Sequence, residues 1–427
     1  MHYEVSMNRK FRVLRLIIVI TSIFLSACGS LIKQVENAVR EDYGPTYTAQ
    51  ERQTRTFEAL WKYLTQNYIY YDSEHVNWKA LHDKYSAQIK PDLTDKQFND
   101  LINQLAAELP QGTLSYESRD ERIKLDAADN SSYEGIGAII NFRPKEVPHI
   151  VILDVLAGSP AEKAGIKPHD SIYAIDGSPV LLEEGLNVVD RVRGPAGSQV
   201  ILQVKTPGKD VRNVQVTRGK LVSSGKLTAY KVTGTNFGYI LIPPINYTNL
   251  QQDVANALKD FATSKKLNGL IIDLRVANSS GGFPLENLLS LFQDGKIGEF
   301  YDNAKETQAL SVQGQNIFDS QTVPLVVLIG DSTSGFAEIL AASLQAGNRA
   351  TLIGQATTGS VENSSAFYLP DGSRVIIQTS SFRLANGTEI GINGVKPDIT
   401  VDAGWDDVLP NADPVFDQAI KTLDKQK

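Results

Sequence analysis

The order of apolar and polar residues divides the chain into regions with different predicted structure. In the first part of residues 51–132, apolar side chains recur at helical spacing. The first apolar stripe consists of Phe57, Leu60, Trp61, Leu64 and Tyr68. Thr94 and Gln97 have the spacing of a capping box that begins a further helix. We therefore expect a helical N-terminal region, with residues 111–132 as a polar linker at its end.

Between residues 133 and 220 the pattern changes to short runs with apolar and polar residues in alternation. Such runs are typical of strands with one buried face. The predicted strands lie within residues 135–140, 149–156, 170–180, 199–206 and 212–219. Ser159 and Pro160 open a short predicted helix among them. We expect a small, mostly β domain here.

Residues 221–427 combine apolar runs of strand length with helical patterns. The predicted buried strands are residues 237–242, 270–274 and 325–329. Helical patterns lie between them at residues 250–263 and 284–293. Because strands and helices alternate along the chain, this region is predicted to have an α/β layer fold.

The stretch from Val323 to Ser360 offers a place for a nucleophile. A strand at residues 325–329 leads into a small polar loop at residues 330–335. A helix at residues 336–344 follows, and then a second short strand at residues 351–353. Free N–H groups at a helix N-terminus can hold an oxyanion next to a hydroxyl delivered by such a loop. The alternative is that Ser332, Thr333 or Ser334 merely caps the helix.

Composition and charge narrow the function classes. The chain has 427 residues, enough for two or three domains, and a net charge of −7. That charge argues against nucleic acid or an anionic membrane surface as the main partner. The five His show no metal-binding spacing, and a single Cys rules out a CxxC motif. We expect neither a metal nor a cofactor.

The single Cys is informative through its position. A basic start with Arg9 and Arg15 precedes the apolar run Leu16–Leu25, which is short for a bilayer span. The residues that follow, Leu25-Ser26-Ala27-Cys28-Gly29, resemble a bacterial lipobox. We expect residues 1–28 to be a lipoprotein signal, Cys28 to carry lipid outside the cytoplasm, and residues 29–50 to be a tether. A plain secretory signal or an N-terminal anchor helix are the alternatives.

Five short matches occur in order within residues 133–220. They are Gly135-Ile136-Gly137, Ser159-Pro160-Ala161, Ala164-Gly165-Ile166, Asp170-Ser171-Ile172 and Ile175-Asp176-Gly177. Together they resemble a PDZ domain. The resemblance implies that Gly135, Ile136 and Gly137 bind the C-terminal carboxylate of a peptide, which pairs with the neighbouring strand edge. Two glycines also let a backbone approach an anion closely, although a tight structural turn is the alternative.

A longer series of motifs spans the chain from Phe57 to Leu423. Its markers are Arg193-Gly194-Pro195-Ala196-Gly197-Ser198, Gly238-Tyr239-Ile240, Asp273-Leu274-Arg275, Gly281-Gly282, Glu338, Gly394-Val395-Lys396-Pro397-Asp398 and Asp413-Pro414-Val415. With the PDZ segment, the chain resembles the carboxyl-terminal processing (tail-specific) serine peptidases. The resemblance implies a crotonase-like α/β core with an inserted PDZ domain and a helical N-terminal region. It also implies cleavage of polypeptides near their C-termini by a Ser nucleophile and a Lys general base.

The chain departs from that family where the chemistry should be. The family's Ser stands three residues before the Glu that matches Glu338, and this position is Gly335. An ungapped comparison places Ser360 at the Lys and Ala346 at the family's intervening acid. A Lys general base needs a neutral amine beside the hydroxyl. The chain has no Lys between residues 305 and 396 and no His after residue 169.

Three interpretations remain open. In the first, Ser334 has moved by one position and is the nucleophile, with an unidentified base. In the second, Ser334, Ser360 and Glu338 form another arrangement, with Glu338 as a structural support. In the third, the site is inactive, and the protein is a PDZ-based peptide-binding or scaffold lipoprotein. An enzyme of other chemistry on the same core is a weaker alternative, because no cofactor motif supports it.

The predicted oxyanion donors are Gly281, Gly282 and Gly335. The first two can turn their N–H groups towards the Ser334 loop, although a sharp strand-to-helix turn also explains them. The best single functional prediction is a C-terminal processing serine peptidase homologue that cleaves or handles polypeptide C-terminal tails outside the cytoplasm.

Overall fold

The computed structural model describes residues 47–72, 76–110, 112–127, 132–145, 147–222, 225–263, 266–279, 282–409 and 411–426. The chain divides into two compact units. The first comprises the residues up to Ala127 together with Ser364–Gln378, and the second comprises Ala128–Asn363 and Thr379–Lys427. The predicted signal segment, Cys28 and most of the predicted tether lie outside the described residues.

The described part of the first unit contains four helices. They are α1 (Ala49–Asn67), α2 (Trp78–Ser86), α3 (Asp95–Glu108) and α4 (Arg119–Ala127). Thr94 and Gln97 form the predicted capping box of α3, and Thr48 and Glu51 form the same motif at α1. In the predicted stripe, Phe57, Leu60 and Leu64 of α1 are fully buried, whereas Trp61 is half-buried. The apolar periodicity therefore located this core correctly.

Residues 111–132 were expected to be a linker, but they contain regular structure. Strand β1 (Leu114–Glu117) pairs in antiparallel fashion with the start of the long strand β20 (Arg374–Leu384). Helix α4 follows, and Ser118 N donates to Glu121 Oε2 at 2.9 Å ahead of its first turn. Local polar bonds of this kind stabilise a helix that has no apolar stripe. The polar composition of residues 111–132 therefore led to the wrong prediction of a linker.

The β domain of the second unit is a twisted antiparallel sheet. Its strands are β3 (Ala138–Arg143), β4 (His149–Val155), β5 (Ser171–Ile175), β6 (Ser178–Pro179), β7 (Gln199–Lys205) and β8 (Arg212–Thr217). The order is β3-β4-β5-β7-β8, with β6 beside β5, so β3 lies at an edge. Ser159 caps the short helix α5 (Pro160–Lys163), as predicted.

Further short elements complete this domain. They are β2 (Ser132–Gly135), β9 (Gly219–Val222), the 3-10 helix Leu182–Val188 and α6 (Val189–Val192). Strand β2 pairs with β9 in antiparallel fashion. The alternating residues of β4 and β7 form the centre of the core, where Ile150, Ile152, Val200 and Leu202 are fully buried.

The rest of the second unit is built on a six-stranded sheet. Its strands are β10 (Thr228–Lys231), β11 (Phe237–Leu241), β12 (Gly269–Asp273), β16 (Leu325–Ile329), β18 (Thr351–Gly354) and β21 (Ile399–Thr400). They are hydrogen-bonded in that order, and all pairs except β10–β11 are parallel. Strand β16 has the bounds that the apolar run predicted.

Helices cover both faces of this sheet. They are α7 (Leu250–Ala262), α8 (Leu285–Ser290), α9 (Phe336–Ala346) and α10 (Pro414–Lys425). Along β16, Val327 packs in the cluster that includes α7, α8 and α9, whereas Val326 and Leu328 pack in the cluster that includes α10. Burial on both faces explains why β16 is a continuous apolar run rather than an alternating one.

Five further strands lie in the described residues. They are β13 (Asn278–Ser279), β14 (Gly295–Asp302), β15 (Thr307–Val312), β17 (Ser334–Gly335) and β19 (Asn363–Tyr368). Strand β14 pairs with β15 and with the end of β20. Strand β13 runs parallel to β17, with Asn278 opposite Ser334.

Strands β12, β16 and β18 are parallel neighbours, so their carboxyl ends meet at one edge of the sheet. The described parts of the loops that leave this edge are residues 274–279 with 282–284, residues 330–335 and residues 355–362. In open α/β sheets this edge is the usual place for a ligand. Among the helices of the described ranges, none combines the length and the apolar content that a bilayer span requires.

Candidate active site

The loop after β16 presents three hydroxyls, and two of them have structural roles. Thr333 is fully buried; its Oγ1 donates to Leu274 O at 2.8 Å and accepts from Gly330 N at 3.0 Å. Ser332 is 4% exposed, and its Oγ accepts from Asn141 Nδ2 at 2.8 Å. Thr333 therefore fixes the loop to the end of β12, and Ser332 fixes it to the β domain.

The third hydroxyl, that of Ser334, has a different environment. Its side chain is half-buried and makes no hydrogen bond with any residue that the structure describes. It does not cap α9, because the N-cap position is Gly335 and has no side-chain cap bond. Ser334 N donates to Ala277 O at 3.1 Å, which holds its backbone beside the β12 loop. Of the three hydroxyls, Ser334 is therefore the one available to a ligand.

Gly335 follows directly and has a backbone conformation that favours glycine. Its φ is +66° and its ψ is −134°. An L-residue with a Cβ is strained in this region, at a cost of roughly 1–3 kcal/mol. The predicted family position of the nucleophilic Ser is thus a sharp turn that leads into α9.

Glu338, in the first turn of α9, is the organising group of the site. Its carboxylate is fully buried and accepts four hydrogen bonds. Oε2 accepts from Gly335 N at 3.0 Å and from Ser360 N at 2.8 Å. Oε1 accepts from Gly359 N at 2.7 Å and from the Thr357 hydroxyl. The two loops that lead into α9 and out of β18 are therefore tied to one carboxylate.

The electrostatics of this carboxylate are set by two opposing effects. Burial raises the pKa of Glu338, and the hydrogen bonds from Thr357, Ser360, Gly359 and Gly335 act against that rise. Both oxygens are already occupied by donors, so the geometry is that of a structural support. The sequence predicted this role for Glu338.

Ser360 and Thr357 lie on the β18 loop. The Ser360 side chain is exposed, and its N–H binds the same Glu338 oxygen as Gly335 N–H. Thr357 also accepts from Val395 N at 2.8 Å, which ties the loop to the chain before β21. The structure thus brings the backbones of Gly335 and Ser360 together on one carboxylate oxygen.

The predicted oxyanion donors are only partly described. Gly281 lies outside the described residues. Gly282 is exposed with a φ of +91°, four residues beyond Asn278 of β13, which lies opposite Ser334. Gly335 N–H, the third predicted donor, already donates to Glu338. The oxyanion role of Gly282 stays a prediction.

The predicted peptide-binding residues lie where β2 passes into β3. Gly137 has a φ of +79°, and a Cβ at this position would come within 2.4 Å of Ser159 Cβ. Ile136 is 4% exposed, and its side chain packs in the core of the β domain. Close packing therefore requires Gly137 whether or not a peptide binds. The carboxylate-binding role of Gly135, Ile136 and Gly137 stays a prediction.

The edge strand β3 also contacts the hydroxyl-rich loop, and the sequence analysis missed these residues. Asn141 and Arg143 both donate to Ser332 Oγ, at 2.8 and 3.3 Å. The buried Arg143 also forms an ion pair with Asp331. The sequence signal that could have identified them is a pair of polar residues at alternate positions in an otherwise apolar strand.

The loops of the site offer little acid–base chemistry. Their single basic residue is Arg275, which is buried and paired with Asp273 at 2.6 Å and with Asp413 at 2.7 Å. An amine or imidazole is the usual partner of a Ser nucleophile. Within the described ranges, no cluster of three or more His, Cys, Asp or Glu could hold a metal ion. What the loops provide is a hydroxyl, N–H groups and a rigid frame.

Comparison with known proteins gives three family matches along the chain. Residues 236–401 match the model of peptidase family S41. Residues 151–206 match a PDZ domain, and residues 49–107 match the tricorn protease C1 domain. The matches follow one another in the order of the helical region, the β domain and the α/β core.

Individual relatives match most of the chain. A carboxyl-terminal-processing protease of Picosynechococcus sp. is 30% identical over 357 residues, which are 80% of this chain and 81% of the relative. The carboxy-terminal processing protease CtpA of Bacillus subtilis is 30% identical, over 74% of this chain and 67% of the relative. A solved photosystem II D1 C-terminal processing protease matches with a TM-score of 0.64 and 25% identity, over 84% of this chain and 95% of the other.

A titratable pair joins the β domain to the segment after β21. His149 Nε2 lies 3.0 Å from Asp406 Oδ2, and both side chains are less than 10% exposed. Burial opposes ionisation of Asp406, but the bond from His149 and the charges of Lys145 and Arg143 lower its pKa to about 2. A lowered pKa stabilises the fold above the unfolded value of 3.8, and this contribution is lost as the pH falls towards 2.

We expect Asp406→Asn to lower the free energy of unfolding by about 2 kcal/mol at pH 7, since one pKa unit corresponds to about 1.4 kcal/mol. The difference from wild type should shrink below pH 4 and vanish near pH 2. Urea unfolding followed by tryptophan fluorescence measures it, because Trp405 is the adjacent residue. Asp190→Asn, an exposed control, should show no such pH dependence; a pH-independent loss in Asp406→Asn would contradict the prediction.

Proposed function

Because this chain belongs to the family of carboxyl-terminal processing proteases, we propose that it acts on polypeptide C-terminal tails with Ser334 as the attacking hydroxyl. It has the α/β core, the PDZ domain and the helical N-terminal region of that family. The observation that carries the proposal is the Ser334 hydroxyl, which lies beside the N-terminus of α9 and has no hydrogen bond to any of the described residues. The neighbouring hydroxyls of Ser332 and Thr333 are both engaged in holding the loop.

Capture of a tail is the first step of this function. The carboxylate of the tail would bind N–H groups at Gly135, Ile136 and Gly137, and its backbone would pair with the edge strand β3, which is strand addition to a sheet edge. Strand β3 also contacts the Ser332 loop through Asn141 and Arg143. A captured tail is thereby next to the element that delivers Ser334.

The chemical step is acyl transfer at a peptide carbonyl. Ser334 Oγ forms a bond to the carbonyl carbon, the peptide C–N bond breaks, and water then hydrolyses the ester. No amine or imidazole of the three loops receives the hydroxyl proton, so water takes it up and supplies a proton to the leaving nitrogen, which departs as an amine. Loss of a general base lowers a rate by about 10²–10⁴. We therefore expect slow cleavage compared with a Ser–Lys peptidase.

A second function is a receptor that binds tails without hydrolysis. Gly335 and Ser360 stand at the positions that the family comparison assigns to Ser and Lys, and this observation favours the receptor. The frame that Glu338 provides for both positions is nevertheless complete. The two functions share tail capture and differ only in cleavage.

The first experiment compares cleavage by the chain from residue 29 onwards with cleavage by its Ser334→Ala variant. The substrate is an unstructured peptide with an apolar C-terminus, and mass spectrometry detects the products. We expect slow cleavage that disappears in the variant and persists in Ser178→Ala, an exposed control. Cleavage that survives Ser334→Ala would show that another group, such as Ser360, is the nucleophile. An amidated peptide should bind more weakly than the free acid if the tail carboxylate is recognised.

A second experiment tests whether the site lacks only the reactive side chains or also the geometry that catalysis needs. We expect the double variant Gly335→Ser with Ser360→Lys to cleave the same peptide at least 100-fold faster than wild type. The reason is that Glu338 already holds the backbone of both positions. Ser at position 335 adds the strain of a positive φ, roughly 1–3 kcal/mol, so thermal unfolding must first show that the variant is folded. Each single substitution serves as a control and should give no such gain. A folded double variant without added activity would show that the frame itself is unsuited to catalysis.

We further propose that Cys28 carries lipid and anchors the protein to the bacterial cell membrane from outside the cytoplasm. The proposal rests on the lipobox-like residues Leu25-Ser26-Ala27-Cys28-Gly29 after a basic and apolar segment. In a bacterial host, labelled palmitate should enter the full chain, and Cys28→Ala should abolish both labelling and membrane association. Membrane association without labelling would favour an N-terminal anchor helix instead.

A further inference from the structure

An apolar cavity of about 300 Å³ lies beside the candidate active site. Its floor consists of the buried side chains Phe283, Leu285 and Leu310. Phe300 and Phe336, both half-buried, form its walls. The volume is at the lower end of the range for ligand pockets, about 300–1,000 Å³. It suits one large side chain rather than a longer segment.

The cavity is built from both sides of the site. Phe283 is the residue after Gly282 on the β12 loop, and Phe336 is the residue after Gly335 at the start of α9. The pairing of β13 with β17 holds these two loops next to each other, with Asn278 opposite Ser334. A polypeptide that lies against Ser334 therefore has an apolar cavity within reach of its side chains.

The aromatic walls are held in place by their neighbours. The Phe300 ring meets the Phe336 ring edge-on, at 6.1 Å and 74°, and the fully buried Phe382 at 5.0 Å and 63°. Such edge-to-face pairs give a wall a defined orientation. The rim is different, because Glu286 and Asn287 of α8 are exposed and polar. An apolar interior favours a side chain that is apolar along its whole length, including the end that reaches the floor of the cavity.

We propose that this cavity binds a large apolar side chain, of the size of Leu or Phe, from the polypeptide at the active site, and that Phe336 determines the preferred size. The inference rests on the proposed function, since the occupant is part of the captured tail. The walls Phe300 and Phe336 are half-buried, so their exposed ring surface gains apolar contact area when such a side chain enters. A small residue such as Ala leaves most of the cavity unfilled.

The experiment uses the full chain and two kinds of probe. The first kind is N-acetyl amides of phenylalanine, leucine and alanine, whose binding is followed by ligand-observed nuclear magnetic resonance. The second is an unstructured peptide with a free C-terminus, in which a single Phe or Ala is placed at each of the last positions in turn. We expect the phenylalanine and leucine amides to bind at least about tenfold more tightly than the alanine amide. One peptide position should show the same preference.

The variant Phe336→Asp tests the wall directly. Asp is favourable in the first turn of a helix, so the start of α9 is preserved while the cavity gains a charge. We expect the preference for large apolar side chains to disappear. Phe318→Asp, a matched change of a ring that is 58% exposed elsewhere in the second unit, should keep it. Thermal unfolding confirms that both variants are folded.

The outcomes separate the cavity from the proposed function. If peptides with a free carboxylate are captured but show no side-chain preference at any position, the cavity assignment is wrong and the tail-binding function stands. If no tail is captured but binding of the phenylalanine amide depends on Phe336, the proposed function fails and the cavity assignment stands. A preference that persists in Phe336→Asp would also overturn the assignment.

Discussion

The candidate site depends on one buried carboxylate, that of Glu338. It lies in the first turn of α9, is fully buried, and accepts hydrogen bonds from Gly335, Thr357, Gly359 and Ser360. Each of those donors would otherwise be a polar group without a partner, which costs roughly 1–3 kcal/mol when buried. The loop before α9 and the loop after β18 are separated in sequence, yet this one carboxylate fixes their positions relative to each other.

This constraint explains how the protein can retain a peptidase frame while it lacks the usual reactive groups. The bonds from Gly335 and Ser360 use backbone N–H groups, so they are independent of which side chains stand at these positions. A change of Ser to Gly or of Lys to Ser leaves them intact. The frame and the chemistry are therefore physically separable. The Ser334 hydroxyl remains as the available group, and the β domain holds the preceding residue through Asn141 and Arg143.

Much of the fold could be predicted from the sequence because its signals are local. The apolar run of β16, the capping box of α3 and the helix capped by Ser159 each depend on neighbouring residues. Residues 111–132 were wrongly predicted to be a linker, because the structure there does not depend on an apolar pattern. Its helix α4 is stabilised by polar local bonds, and its strand β1 by a partner more than 250 residues away.

The site was harder to predict because its key contacts are long-range. Arg143 meets Ser332 across 189 residues, and His149 meets Asp406 across 257. No spacing rule connects such pairs. Phe300 illustrates the same limit, since its strand β14 was not predicted and its role appears only beside Phe336. The sequence pattern identified the hydroxyl-rich loop, but only the fold shows that Ser332 and Thr333 are hydrogen-bonded and that Ser334 has no side-chain partner in the described ranges.

The most direct test of this account is amide hydrogen exchange at Gly335, Gly359 and Ser360 in wild type and in Glu338→Gln. The variant keeps one acceptor oxygen and replaces the other by an NH₂ group, which cannot accept from an N–H. We expect strong protection of all three amides in wild type and loss of protection at one or both loops in the variant. Amides of β16 should stay protected in both proteins, as the control for folding. Unchanged protection at all three sites in Glu338→Gln would contradict the claim that this carboxylate organises the site.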